Sequence, residues 1–429
     1  MKKNLITGLT IVCAVILISC FQSCKKEVTT GTIKDSYSIQ DGTLFATIDM
    51  ATEIAENVNK SEIIQQAVDK NRLKSAPYLG KRPIKKKVTI MDKNNTTPYF
   101  YVINFDPDGY VIVPADKRLR PILAYADKGW FNIDSIPDGI TAWLEATAVQ
   151  EEHYRTSKTL PSDVVTAQWA AMSCDESLVK GTQVEYCPPP VPSGNTEVNI
   201  TVGPLLKTSW SQDYGFNTYC PTLSSGPNGH AWAGCVTIAM AQVMYYWKYP
   251  ASYNGNTINW NAMTLNYYGS DAAAKLIGYI FPMVIDSYDG DDGSSCTNDF
   301  KISRSLRGNF GYSTATLAGW VNLINYNGGY NYQTVVSDLN KKQPVILGGF
   351  VEKFSILGIP VAGKGHSWVC DGYSQTTYFA NGVETYQTLY FNMNWGWGGS
   401  HNGMFAFDYW PTSFGAISCY LDMIYNIHP

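Results

Sequence analysis

The chain has 429 residues with 32 Lys+Arg against 36 Asp+Glu, and its formal net charge of -4 at pH 7 argues against a nucleic-acid binder. At roughly 150 residues per domain, that length suggests two or three domains. Residues 1–200 hold 22 Lys+Arg and 23 Asp+Glu while residues 201–429 hold 10 and 13, so charge density about halves and a domain boundary falls near residue 200. The second part, rich in Tyr, Trp, Gly and Asn, has the composition of a compact, sheet-containing core with many turns.

At the N-terminus, Lys2 and Lys3 precede an apolar run over 5–18, too short for a comfortable membrane span and right for the core of a signal peptide. Leu17-Ile18-Ser19-Cys20 resembles a bacterial lipobox, which makes Cys20 the residue expected to carry lipid after cleavage. Phe21-Gln22-Ser23-Cys24 is the alternative, with an aromatic residue where the motif has an aliphatic one. The expected division is a leader over 1–20 and a polar tether over 21–35, with the protein exported and held in the cell envelope by its lipid; a plain secretory signal is the other reading. Of the ten Cys, Cys13, Cys20 and Cys24 lie in or beside the leader. Cys174, Cys187, Cys220, Cys235, Cys296, Cys370 and Cys419 remain, an odd number, so pairing would leave one thiol over.

Ile48, Ala51, Ile54, Ala55 and Val58, continued by Ile63, Ala67 and Val68, predict an amphipathic helix over 47–69. The basic run over 81–87 reads as a solvated loop or an edge strand. A strand over 99–105, the turn Asp106-Pro107-Asp108-Gly109 and a strand over 110–113 form a hairpin. A helix over 140–154 closes an N-terminal module spanning 36–155. Over 156–200 no long apolar periodicity remains, and Pro188, Pro189, Pro190, Pro192, Ser193 and Gly194 break regular structure, so this segment is read as a linker.

The stretch over 229–247 organises the second half. Gly229 and Gly234 punctuate the approach, and after Gly234 neither Gly nor Pro occurs until Pro250, which predicts a helix of about three turns with Cys235 in its first turn. The unpaired N–H groups at a helix N-terminus favour a thiolate, the form of cysteine that attacks carbonyls. A buried structural cysteine fits the same apolar helix. Further helices are predicted over 272–285 and 335–342, with a buried strand over 345–350. The acidic loop Asp289-Gly290-Asp291-Asp292-Gly293 misses the calcium-loop spacing, with Phe300 where the twelfth-position Glu belongs, so neither a metal nor another cofactor is expected.

A thiolate nucleophile needs an imidazole partner, and the sequence has five His. His153 precedes the linker, His428 is one residue from the end, His401 lies in a Gly/Ser/Asn turn, and His230 is only five residues from Cys235. His366 opens a strand over 366–370 behind Gly363 and Gly365, and Asn381-Gly382 signals a hairpin leading to a strand over 388–393. Residue 380, beside that turn, lies midway between 366 and 394, so His366 and Asn394 are expected to meet across neighbouring strands. An amide beside an imidazole fixes its orientation without fixing its charge, which is the Cys-His-Asn form of the triad.

Several runs then act together: Trp210-Ser211-Gln212 with Phe216-Asn217, Gly234-Cys235-Val236, Asn309-Phe310-Gly311-Tyr312, Gln343-Pro344-Val345, Gly365-His366-Ser367-Trp368-Val369 through Asp371-Gly372, and Asn392-Met393-Asn394-Trp395-Gly396-Trp397-Gly398-Gly399. With Tyr110-Val111-Ile112-Val113 and Asp116-Lys117-Arg118 upstream, they make the sequence resemble the streptopain family of bacterial papain-like cysteine proteases, made as zymogens. The resemblance implies an α+β, papain-like fold over 201–429, with a helical part carrying the Cys and an antiparallel sheet part carrying the His and Asn. It implies a preceding α+β pro-domain over 36–155 that inhibits in cis and is released by a cut within 156–200. Carried over by residue, it makes Cys235 the nucleophile, His366 the general acid/base, Asn394 the group orienting the imidazole and Trp395 its shield. Gln212 and the Cys235 backbone N–H would form the oxyanion hole. Departures from the family lie in the proline-rich, cysteine-bearing linker and in the stretch over 351–364.

The implied activity is peptide-bond hydrolysis through an acyl-enzyme, with protein or peptide substrates, the chain's own pro-domain as intramolecular inhibitor, and membrane contact through the lipid alone. Two other classes compete. One is a surface binding protein or adhesin on an inactive protease fold, which has no reason to keep Gln212, Cys235, His366 and Asn394 together. The other is a transamidase sharing the acyl-enzyme chemistry with a different acceptor.

Overall fold

A computed structural model of the chain describes residues 44–67, 82–92, 94–157, 159–172, 195–288, 300–319, 332–351, 365–407 and 419–429. The leader with Cys13, Cys20 and Cys24, the tether, Cys174, Cys187, Cys296, the proline run and the acidic loop lie outside the described residues.

The N-terminal half builds a sheet with a different core on each face. Helix α1 (Ile48–Ala67) is followed by strands β1 (Ile84–Met91), β2 (Pro98–Phe105), β3 (Tyr110–Pro114) and β4 (Ala124–Ala126), paired antiparallel in that order. Side chains alternate across a strand, so Phe100, Val102, Tyr110 and Ile112 face one core while Tyr101, Ile103, Phe105, Val111 and Val113 face the other. Helix α2 (Asp138–Thr156) closes the first core with Ile140, Trp143, Leu144 and Ala148. Helix α3 (Asp163–Met172) and α1 close the second with Val165, Trp169, Ala51, Ile54, Ala55 and Val58. Each such fully buried large side chain is worth about 1.5–3 kcal/mol. Lys85, Lys86 and Lys87 are exposed on β1, the outermost strand, where charge discourages pairing with another chain.

The same sheet runs on into the second half. β4 pairs with β12 (Gly403–Ala406), and the order continues β11 (Val383–Asn394), β10 (Gly365–Ala380), β9 (Val345–Val351), β13 (Cys419–His428) and β8 (Thr314–Gly319). Asn381 and Gly382 both have positive φ (53° and 78°), as the two-residue turn between β10 and β11 demands. Helices α4 (Cys235–Trp247), α5 (Asp271–Val284) and α6 (Phe300–Gly308) form a separate core with Trp210, Phe216 and Trp260. Helix α7 (Tyr332–Asn340) precedes β9. This is an α+β fold.

Two sequence expectations change. The segment expected to be a structureless linker over 156–200 holds α3 and the start of β5 (Asn195–Val202), which pairs with Tyr373 to Ala380 of β10. Val165 and Trp169 lie four apart on one helical face, and the stripe is too short to stand out in a sequence; β5 alternates Thr196, Val198, Ile200 and Val202, diluted by polar neighbours. The short strand after His366 is instead a 16-residue strand, because its outer half gains two partners, β5 and β11.

Candidate active site

Gly234, at φ 83°, turns the chain into α4, and Cys235 is the first helical residue, half-buried. From Val236 to Met244 the helix is buried throughout, which fixes its N-terminus against the sheet. The Cys235 sulfur accepts the backbone N–H of Ser367 at 3.4 Å, which places the thiol beside the residue next to His366 on β10. An N–H aimed at sulfur, added to the helix dipole, favours the thiolate.

His366 is 5 % exposed and stacks near the rings of Trp368 and Trp395, at 6.0 and 6.1 Å between centroids. Its Nε2 lies 3.0 Å from the Trp395 carbonyl oxygen. A carbonyl only accepts, so Nε2 carries the proton and Nδ1 holds the basic lone pair. Burial pushes the imidazole down to about 4, partly offset by that hydrogen bond. At neutral pH the ring is therefore uncharged.

The expected meeting of His366 with Asn394 is corrected. Asn394 sits opposite Val369, because the turn centres between residues 381 and 382 rather than at 380; two register shifts, at Tyr378/Phe379 and at Cys370/Gly372, offset each other. The Asn394 amide is committed elsewhere: Nδ2 donates to Thr208 O at 2.8 Å and to Gln242 Oε1 at 3.3 Å, while Oδ1 accepts from Gln242 Nε2 and Gly396 N, both at 3.2 Å. The acceptor on the imidazole is the backbone carbonyl of the next residue, Trp395. The Trp395 ring is buried between Trp368 (4.9 Å) and Phe405 (5.1 Å). Gly396, at φ 72°, lets the loop pass over α4, since a Cβ there would come within 3.1 Å of Ile238.

Gln212 reaches the same neighbourhood through its backbone, its carbonyl accepting Ala233 N–H at 2.9 Å two residues before Cys235; the residue is half-buried. The other histidines do different work. His230 Nδ1 bonds Cys220 O at 2.9 Å within the preceding loop, and exposed His428 packs on Trp247. His401, buried, sets its Nε2 against the Asn132 backbone, 2.9 Å from the carbonyl oxygen and 3.1 Å from the nitrogen, and its tautomer decides which of the two it bonds. Cys220 and Cys370 are buried free thiols, and burial pushes Cys220 up to about 12 and Cys370 well above the usual range, so neither offers a thiolate.

Sequence reasoning missed three participants. Gln242, fully buried, carries the main polar link from α4 to Asn394, and its one signal was a carboxamide inside an otherwise apolar helix. Thr208 donates to Gln242 Oε1 at 2.8 Å. Gly139, at the start of α2, presses the N-terminal half onto the tryptophans beside His366: a Cβ there would sit 2.8 Å from the Trp395 ring and 3.1 Å from Trp368. No group of three or more His, Cys, Asp or Glu suited to a metal occurs among the described residues.

A cysteine at a helix start bonded to the strand that carries the histidine, with a tryptophan-glycine loop against the imidazole, is the arrangement of papain-like cysteine endopeptidases. Residues 210–405 match the Peptidase C10 family and residues 48–151 match the Spi protease inhibitor family. The chain is 27% identical over 333 residues to the thiol protease/hemagglutinin PrtT of Porphyromonas gingivalis, covering 71% of this chain and 33% of that protein. It is 26% identical over 343 residues to streptopain of Streptococcus pyogenes serotype M1, covering 72% of this chain and 73% of streptopain. Among solved structures, a fragment of Prevotella intermedia prointerpain A superposes with a TM-score of 0.54 at 20% identity, covering 81% of this chain and 99% of that one, which shows the shared fold. The second half thus matches the Peptidase C10 family and the first an inhibitor family, and the chain is similar to streptopain-like cysteine proteases made as zymogens.

Proposed function

We propose that the chain is an exported cysteine endopeptidase, lipid-anchored through Cys20 (or Cys24), in which residues 36–155 inhibit the half that follows until a cut in the connection releases it. The observation that carries this reading is the Cys235 sulfur at the N-terminus of α4, bonded to Ser367 N–H beside the buried His366. In the proposed reaction, the imidazole takes the thiol proton at Nδ1 while Nε2–H stays on the Trp395 carbonyl. The thiolate attacks the scissile carbonyl, and the Cys235 N–H with the Gln212 amide holds the oxyanion, each such donor being worth about 10² to 10³ in rate. The imidazolium then protonates the leaving amine, and water completes hydrolysis by the reverse path. Asn394 and Trp395 keep the imidazole in place.

Latency has a physical basis in the burial of His366. An imidazole held well below its usual range resists the charge the reaction demands of it, and α2 covers the tryptophans that flank it. Removing the N-terminal half would return water to this pocket and raise the imidazole's basicity.

The test is to treat full-length Cys235→Ala protein with a trace of active parent and sequence the new N-termini. Cuts between α3 and β5, with a parallel gain of casein hydrolysis in the parent, are expected. Full activity of the uncut parent would contradict the zymogen, and casein hydrolysis by purified Cys235→Ala alone would contradict the nucleophile. A binding-only protein would show neither cuts nor a difference between the two chains.

A further inference from the structure

We infer that Gln242 is a positioning residue of this site: its carboxamide holds the Asn394 amide, and through it the peptide unit on which the His366 imidazole rests. The inference rests on the protease reading above. Gln242 lies seven residues after Cys235, two turns along the same face of α4, and is fully buried. It makes a reciprocal amide pair with Asn394, Nε2 to Oδ1 at 3.2 Å and Nδ2 to Oε1 at 3.3 Å. Both orientations are fixed from outside the pair: Asn394 Nδ2 must face the Thr208 carbonyl, and Gln242 Oε1 accepts the Thr208 hydroxyl at 2.8 Å.

The next link is covalent. Asn394 Oδ1 accepts Gly396 N–H at 3.2 Å, and the carbonyl of that same planar peptide unit is the Trp395 oxygen that takes His366 Nε2–H at 3.0 Å. Gripping the N–H edge of the peptide therefore aims its carbonyl edge at the imidazole. The chain of bonds runs from the helix that carries the thiol, through two amides and one peptide plane, to the base. A core glutamine with only a packing role would need its own partners, but it would not need to end on the imidazole.

Two variants separate positioning from packing. Gln242→Met keeps the volume and removes the amide; after processing by a trace of active parent, kcat should fall roughly 10- to 100-fold, the scale of a small misplacement of a reacting group, with KM within about twofold. Gln242→Glu should be rescued by acid. When protonated, its carboxyl O–H can donate to Asn394 Oδ1 as the amide does; when ionised, it sets oxygen against oxygen, so its activity relative to parent should drop from about pH 5 to about pH 8. A third readout does not need turnover. In full-length Cys235→Ala protein labelled with nitrogen-15 histidine, the His366 Nε2–H resonance should exchange with water at least roughly tenfold faster when Gln242→Met is added. If the parent hydrolyses nothing, the protease reading fails, while the exchange rate still decides the role of Gln242. Unchanged exchange, or a Gln242→Met enzyme that turns over within about twofold of parent while melting lower, would make Gln242 a core amide and overturn the inference.

Discussion

The pocket around His366 is built from two sides that use different physics. On the side of α4, the contacts are directional: Ser367 N–H on the Cys235 sulfur, the Gln242–Asn394 amide pair, and the Trp395 carbonyl on the imidazole. On the side of the N-terminal half, the contact on the tryptophans that flank the imidazole is one of shape, Gly139 pressed flat against Trp395 and Trp368, while hydrogen bonds from that half go to other residues, as at β4 with β12 and Tyr110 with the His401 carbonyl. Directional bonds fix a reacting geometry, and losing one leaves a buried partner unsatisfied. Shape contacts can be withdrawn without that penalty at the catalytic groups. The difference fits a chain whose second half is meant to outlast its first.

Breaking the directional side should have the larger effect. Asn394→Ala removes the acceptor for Gly396 N–H and orphans Gln242, so turnover should fall roughly 10²-fold, while Cys235 still reacts fully with iodoacetamide because the thiol's own contacts are untouched. Equal turnover in variant and parent would show that the amide does not hold the imidazole. Breaking the shape side should act on latency alone. Gly139→Leu overpacks the tryptophans at a cost of about 1–3 kcal/mol, so the full-length variant should activate several-fold faster, and the processed enzyme should match the parent. A processed variant with altered kcat would mean that α2 shapes the mature site as well.

The smallest effect is on stability against pH. His366 is held near 4 against an ordinary 6.5, so between those values the unfolded chain binds a proton that the folded chain refuses, and stability is lost as pH falls through that window. Asp371 opposes it: burial pushes its carboxyl up to about 6 from 3.8, and the stability this gives the protonated form is lost as pH rises through 6. On the Cys235→Ala background, His366→Gln should therefore lose less Tm than its parent on going from about pH 6.5 to about pH 4.5. Equal losses in the two chains would indicate that the imidazole is not buried as described.

Much of this was legible in the residues, and what was not has a physical reason. The α4 boundary followed from Gly234 and the absence of Gly and Pro beyond it, and the structure starts the helix at Cys235. The hairpin at Asn381-Gly382 was legible because only a few residue pairs tolerate two positive φ angles. The register across it was not, since the sequence does not show where within the turn the axis falls, and it falls between 381 and 382 rather than at 380. Sequence also treated the two halves as separate modules, and β4 with β12 joins them into one sheet; a three-residue strand carries too little pattern to be found. Gly139 and Gln242 escaped for one shared reason: each matters through a partner more than a hundred positions away, Trp395 for the first and Asn394 for the second.

The central claim, a nucleophilic thiol at the start of α4, is tested most directly by titrating the processed enzyme with iodoacetamide at pH 7 and following both casein hydrolysis and the position of the adduct by peptide mass spectrometry. An adduct on Cys235, with activity falling in proportion to its occupancy, is the predicted result. Activity that survives full modification of Cys235, or that falls only as Cys220 or Cys370 is modified, would contradict it.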